Sequence, residues 1–294
     1  MTPEHYLLEL EKIILGKRTQ LTLALSCLIA GGHLLIEDIP GTGKTTLAHA
    51  LAKSFGLSFN RVQFTSDLLP SDVLGGPTLA SNGQGIELRK GPIFTQVFLA
   101  DELNRAPPKT QGALLEAMEE RQVSLEGQTL SLPEPFFVVA TQNPQDLAGT
   151  YPLPESQLDR FMLRIELGYP SIEAEREILL GLSRRDQAMQ AMADSAQLAL
   201  WRQAAEAVHI EAAVIDYIQR LIKTTREMAQ VGLSPRAGQS LVKVARSYAF
   251  VQGRDFLLPD DVQAVFVAAA AHRLNTEGDA QSLALRCLEA TSVL

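Results

Sequence analysis

The sequence predicts an α/β protein: a layered α/β structure with a parallel sheet over residues 1–170, followed by an all-helical domain over 171–294. Three observations carry this. Short apolar runs alternate with helix-forming stretches through the first two-thirds of the chain. Strand-like runs stop after Pro170. A glycine-rich turn follows the first apolar run and opens a helix, which is where folds of this class bind ligands.

The elements follow in order. Leu21–Ile36 is apolar but interrupted by Ser26, Gly31, Gly32 and His33, so it reads as a helix and then a buried strand, not as a membrane span. The expected strands are Leu34–Ile36, Phe59–Gln63, Val97–Ala100, Phe136–Thr141 and Met162–Leu167. Two segments read as hairpins. Ile86–Phe94 alternates apolar and polar residues after the turn Ser81–Gly85, and Val123–Leu132 folds around Glu126-Gly127. The helix after Pro108 has an apolar face of Leu114, Leu115, Ala117 and Met118 and a wet face of Glu116, Glu119, Glu120 and Arg121. Beyond Ser171, Ala, Leu, Glu, Gln and Arg predict helices near 172–184, 196–207, 211–229, 235–250 and 260–274.

A net charge of -8 over 294 residues disfavours a protein that coats nucleic acid. The two cysteines, Cys27 and Cys287, stand far apart in apolar contexts and read as buried free thiols. Met1–Glu11 carries acids and no apolar core of a signal peptide, so a cytoplasmic protein is expected.

The chemistry begins at Asp38-Ile-Pro-Gly-Thr-Gly-Lys-Thr-Thr46, a phosphate-binding loop of the type G-x-x-x-x-G-K-[ST]. Pro40, Gly41, Thr42, Gly43, Lys44, Thr45 and Thr46 form the candidate nucleotide cradle. The glycines let bare N–H groups face phosphate oxygens, Lys44 supplies a charge for the β- and γ-phosphates, and Thr45 offers a hydroxyl to Mg²⁺. Asp38 replaces the first glycine; its charge would repel phosphate, so it is expected to point away. Val97–Ala100 ends in Asp101 and Glu102. Asp101 is the candidate Mg²⁺ ligand, through the ion's water shell, and Glu102 would orient or deprotonate an attacking water. Asn143 ends the next buried strand, where it could orient that water or begin an Asn-Pro turn, two compatible roles. Arg160, in Leu158-Asp-Arg-Phe161, is either a surface ion-pairing residue or a finger reaching a neighbouring subunit's nucleotide. Arg236 sits in the first turn of a helix with Ser234 as N-cap and Pro235 at the first helical position, where it opposes the helix dipole; a bound anion or an ordinary ion pair would account for it.

Together these motifs resemble AAA+ ATPases in order and spacing, and their details resemble the MoxR branch. The runs Ala100–Gln111, Thr141–Pro144, Pro152–Phe161 and Gly232–Arg236 carry that likeness, which extends from about residue 5 to 290. The resemblance implies an AAA+ P-loop core, an αβα sandwich, with a C-terminal helical lid. It implies ATP hydrolysis with Mg²⁺ at the seams of a homo-oligomeric ring, a hexamer. It makes Lys44, Glu102, Asn143 (sensor 1), Arg160 (arginine finger) and Arg236 (sensor 2) the catalytic set, and places Gly16 near adenine. Arg105 would face the neighbouring γ-phosphate or pair with an acid. The two hairpins would face the pore. Relatives of this kind act as chaperones on protein complexes, often with a von Willebrand factor A-domain partner. Two other readings compete: a nucleotide-gated scaffold, and a nucleic-acid motor. The second is disfavoured by the charge and by a second hairpin with Glu126 and no aromatic residue.

Overall fold

The structure, a computed structural model of the chain, describes residues 1–79, 86–144, 149–180 and 191–293. In chain order the strands are β1 (Leu34–Glu37), β2 (Phe59–Gln63), β3 (Gly75–Leu79), β4 (Ile86–Lys90), β5 (Val97–Asp101), β6 (Gln122–Leu125), β7 (Gln128–Ser131), β8 (Phe137–Gln142) and β9 (Leu163–Ile165). Five of them form a parallel sheet in the order β2-β5-β8-β1-β9. All five expected sheet strands are present.

Side chains alternate across the sheet, as the strand period requires. Leu34, Ile36, Val97, Leu99, Phe137 and Val139 enter one core, shared with helices α1 (Pro3–Glu11), α2 (Arg18–Ile29) and α3 (Lys44–Ser54). Leu35, Phe98, Ala100, Val138 and Ala140 enter a second core, closed by α4 (Pro70–Leu74) and α5 (Pro108–Glu120). On α5 it is the predicted apolar face, Leu114, Leu115, Ala117 and Met118, that is buried. Cys27 and Cys287 are buried and free, as expected.

The hairpins are β3–β4 and β6–β7. The second matches expectation, with Glu126 at φ 47° and Gly127 at φ 77° in its turn, the pair of positive angles that a tight hairpin needs. The first is a correction. Its second strand pairs with Gly75–Leu79, and residues 91–94 are not strand. Gly-Gly-Pro is poor strand sequence, which hides β3, but the glycines serve the crossing. A Cβ on Gly75 would lie 2.2 Å from the carbonyl oxygen of Arg89, and one on Gly91 2.3 Å from that of Val73. The expected turn Ser81–Gly85 and the end of the expected helix 172–184 lie outside the described residues.

After the short α6 (Glu155–Leu158) and β9, the chain is helical: α7 (Ile172–Leu179), α8 (Ser195–Glu206), α9 (Ala212–Met228), α10 (Pro235–Val251), α11 (Pro259–Ala270), a 3-10 turn Ala271–Arg273, and α12 (Ala280–Ala290). Ser171 and Ser234 cap α7 and α10 by accepting from the amides of Ala174 and Ala237. The helix α12 was not foreseen; Asp279 caps it and Leu283, Ala284 and Cys287 anchor it. This lid shares the first core: α10 packs on α2 and α8, and Trp201 stands edge-on to Tyr6 and Phe55. Among the described residues no helix is long and apolar enough to cross a membrane.

Candidate functional site

The first connection out of β1 runs to β2 at one edge of the sheet, and β9 lies on the other side of β1. The carboxyl end of β1 is therefore a topological switch point, where open α/β sheets bind ligands. The glycine-rich loop leaves the sheet there. Gly43, at φ 96°, caps α3, so the loop's amides and the helix N-terminus face the same space. Gly41 is exposed and a Cβ there would meet nothing within 4 Å, so the loop borders open space. Lys44 extends back across it, donating from Nζ to the carbonyls of Asp38 at 2.6 Å and Ile39 at 2.9 Å. Partial burial pulls the Lys44 pKa down, and the charges of Asp38, Asp101 and Glu102 hold it up. Thr45 and Thr46 lie half-buried in the first turn of α3. Amides, an ammonium and a hydroxyl around open space fit a polyphosphate and its Mg²⁺.

Asp38 behaves as expected of a residue turned from phosphate. Its carboxylate accepts from the amides of Ile39, Leu167 and Gly168 at 2.7–2.8 Å. Its charge is thus satisfied by backbone, and it ties the loop to the segment that leads into the lid. Lys17 adds a bond from Nζ to the Tyr169 carbonyl at 2.7 Å. Beside it Gly16, at φ 67°, approaches Ser171. A crevice of only about 10 Å³ next to Gly16 is lined by Ile13, Ile14, Leu15, Lys17, Thr42, Pro170 and Ile178, apolar groups with one cation and too little room for a nucleobase.

Sheet register brings the acids to the same edge. Glu37 stands opposite Gln142, and Ala100 opposite Ala140, so Asp38, Glu102 and Asn143 all leave the sheet at one level. The Asp38 amide donates to the Gln142 carbonyl, and the Glu102 amide to Thr141 Oγ1. Asp101 is buried; Thr141 Oγ1 donates to its Oδ1 at 2.6 Å, and the Arg61 guanidinium holds its Oδ2 at 2.7 Å. Glu102 has φ 56° and ψ 50°, a left-handed conformation uncommon for a residue with a side chain and frequent where function fixes geometry. Its carboxylate pairs with Arg105 at 2.7 Å, so of the two roles open to Arg105 this chain shows the pairing with an acid.

Arg160 and Arg236 are elsewhere. Both bind the carboxylate of Glu119 at the end of α5, Arg160 at 3.1 Å and Arg236 at 2.7 Å. They line a cavity of about 320 Å³ with Arg121, Lys243 and Arg273, opposed by Glu119 and Asp159. Gly31, Gly32 and His33 also line it, so the cavity lies at the amino end of β1, ~15 Å along the strand from Asp38. The structure therefore gathers the phosphate loop, Asp101, Glu102 and Asn143 at one edge, and Arg160 with Arg236 at the other.

Sequence reasoning missed four participants. Thr141 lay inside a quoted motif but carried no chemical signal of its own. Arg61 occupies an exposed strand position and Glu119 a wet helix face, where a charge is ordinary. Arg273 lies in a stretch read only as helix.

Comparison with known proteins fits this arrangement. The family model described as "ATPase family associated with various cellular activities (AAA)" matches residues 33–163, and the "AAA lid domain" model matches residues 222–284. An uncharacterized protein, YeaC, of Bacillus subtilis is 42% identical over 92% of this chain and 86% of its own length. Chaperone MoxR1 of Mycobacterium tuberculosis is 38% identical over 95% of this chain and 77% of its own length. A crystal structure from Cytophaga hutchinsonii, of a protein whose ATPase assignment is itself by inference, superposes with a TM-score of 0.90 at 35% identity, covering 98% of this chain and 93% of that one. With a P-loop core, a helical lid and relatives of this closeness along nearly its whole length, the chain belongs to the MoxR family of AAA+ ATPases.

Proposed function

We propose that this chain hydrolyses ATP at the seams of a ring built from its own copies, and that the work remodels or matures a protein complex. The observation that carries this is the separation of the two half-sites. Phosphate cradle and base lie at one edge of the sheet, and two arginines lie together at the other. In a head-to-tail ring, one edge of each subunit meets the opposite edge of the next.

The roles follow from position. Gly41 to Thr46 bind the phosphates through backbone amides, Pro40, which has no N–H, shapes the loop, Lys44 neutralises the β- and γ-oxygens, and the base lies near Gly16. Thr45 and Asp101 would hold Mg²⁺, which when bound neutralises charge on the phosphates. Glu102 removes the proton from the attacking water and Asn143 orients that water. Arg160 and Arg236 stabilise the charge developing on the neighbour's γ-phosphate, exchanging Glu119 for it. We divide the chain at residue 170 into core (1–170) and lid (171–294). We take the ring as a hexamer, the location as cytoplasmic, and the partner as a protein client with a von Willebrand factor A-domain adaptor. The name and closeness of Chaperone MoxR1 support the chaperone part of this reading.

Replacing Glu102 by Gln tests the reaction. ATP binding should persist, while turnover falls about 10²- to 10⁴-fold, the usual weight of a general base. Full turnover in that variant would remove Glu102 from the mechanism. A partner effect sustained by a non-hydrolysable analogue would make the protein a nucleotide-gated scaffold instead.

A further inference from the structure

The segment that carries Arg160 is held from the lid. Arg273, in the 3-10 turn after α11, is 7% exposed. Its Nε donates to Asp159 Oδ1 at 2.6 Å. Its Nη2 donates to the carbonyls of Asp159 and Phe161 at 3.2 and 2.8 Å, and its Nη1 to that of Met162 at 3.2 Å and to that of Ala269 on α11. The adjacent His272, also buried, places Nε2 2.9 Å from the Phe161 carbonyl. Asn275 donates to the carboxylate of Glu155 at the start of α6. Residues 272–275 of the lid thus bind the chain from Glu155 to Met162 on both sides of Arg160.

A guanidinium is a planar fork of five donors. Engaged with a carboxylate and the carbonyls on either side of one residue, it fixes that residue's backbone in translation and in rotation. An ion pair buried only for stability would be a poor use of the site, since apolar residues of similar volume do that as well or better. The partners here flank Arg160, which points out of the grip toward Glu119. In the core segment that leads into the lid, Leu167 and Gly168 are bonded to Asp38 of the chain's own phosphate loop.

We propose that Arg273 is the positioning residue for Arg160, so that the lid carries the arginine and the lid's angle to the sheet sets where Arg160 meets the neighbouring subunit's triphosphate. This rests on the reading of Arg160 as acting in trans.

The test uses the full chain and three variants, Arg160→Ala, Arg273→Gln and Arg273→Lys. Each is assayed alone and mixed with Lys44→Ala subunits, whose seams supply intact arginines. Arg273→Gln should lower kcat about a hundredfold, the scale of a misplacement near 1 Å, with KM for ATP and the affinity for a fluorescent ADP analogue unchanged. Mixing with Lys44→Ala subunits should restore part of its turnover. Arg273→Lys, which keeps the charge and some donors, should recover about tenfold over Gln. Arg273→Gln at the parental kcat, beside an Arg160→Ala that is lost, overturns the inference and leaves the reading of Arg160 standing. Arg160→Ala at the parental rate overturns that reading itself. If Arg273→Gln does not fold, Asp159→Asn decides: it keeps Arg273 and its carbonyl bonds, and should lower kcat about tenfold with KM unchanged. Unchanged kcat there also overturns the inference.

Discussion

At the carboxyl edge of the sheet the candidate site consists of segments whose residues adjoin in sequence or in register. Asp38 to Thr46 is one loop, Asp101 and Glu102 are neighbours, and Asn143 follows a strand paired directly with β1. At the opposite edge, α5, the α6–β9 turn, α10 and the turn after α11 each contribute a charged residue, and they meet on Glu119 and Asp159. The first region is built from backbone geometry and is shaped to receive an anion. The second is built from long side chains converging from distant elements, and its arginines already hold a carboxylate. On the proposed reading, the first region takes the nucleotide and the second answers a neighbour.

The comparison breaks most sharply at Arg236. In this chain it faces away from its own phosphate loop, so Arg236→Ala should leave nucleotide affinity within about twofold and lower kcat about 10³-fold, the low end for an arginine acting on a transferring phosphoryl group. Mixing that variant with Lys44→Ala subunits should restore turnover at the mixed seams. If affinity for nucleotide collapses together with kcat, Arg236 reaches its own site and the two regions are one.

Acid should distinguish the regions next. His33 lies at the floor of the arginine cavity, its Nδ1 accepting from the Val138 amide and its Nε2 within 3.3 Å of the Met118 carbonyl. Burial pushes its pKa down to about 4, with Arg121 and Arg202 adding to the effect; burial and Arg273 depress His272 as well. Between the ordinary histidine pKa and about 4, the unfolded chain binds the proton and the folded chain does not. Stability is therefore whole above the ordinary value and is lost as pH falls through this window. At pH 5 the His33 contribution is about 2 kcal/mol. Urea unfolding at pH 7.5 and at pH 5 measures it, and His33→Gln should flatten the difference by that amount. An unchanged pH dependence in the variant would mean that His33 is not the titrating group.

The two regions were also unequally legible. Lys44, Asp101 and Glu102 could be read because loop geometry and strand ends are local, and a strand-loop-helix with a glycine-rich turn has few other uses. The sheet strands could be read because each is a buried run. Arg160 and Arg236 could be singled out, but not their shared partner, because Glu119 is an ordinary acid on a wet helix face until the lid folds over it. Arg273 was hidden more deeply: its burial is a tertiary fact, and in sequence it ends an alanine-rich helix. The strand β3 was missed for a different reason, since Gly75, which opens it, is there for backbone clearance and not for strand propensity.

Glu119 gives the smallest expected effect and the finest test of the contrast. It is about one-third exposed, and so is Arg160, while Arg236 is more open. Ion pairs at that exposure are screened and contribute about 0–1 kcal/mol, so Glu119→Gln should move the thermal midpoint by only a few degrees. Its consequence should lie in the ring. If the carboxylate is a stand-in for the neighbour's phosphate, its removal frees two arginines at no structural cost. The kcat of the assembled protein should then rise about threefold with the KM for ATP unchanged, by the fraction of a kcal/mol no longer needed to displace the pair. If instead the midpoint drops by ten degrees or more, Glu119 is a structural lock between α5 and α10. The arginine region would then belong to the fold and not to the seam.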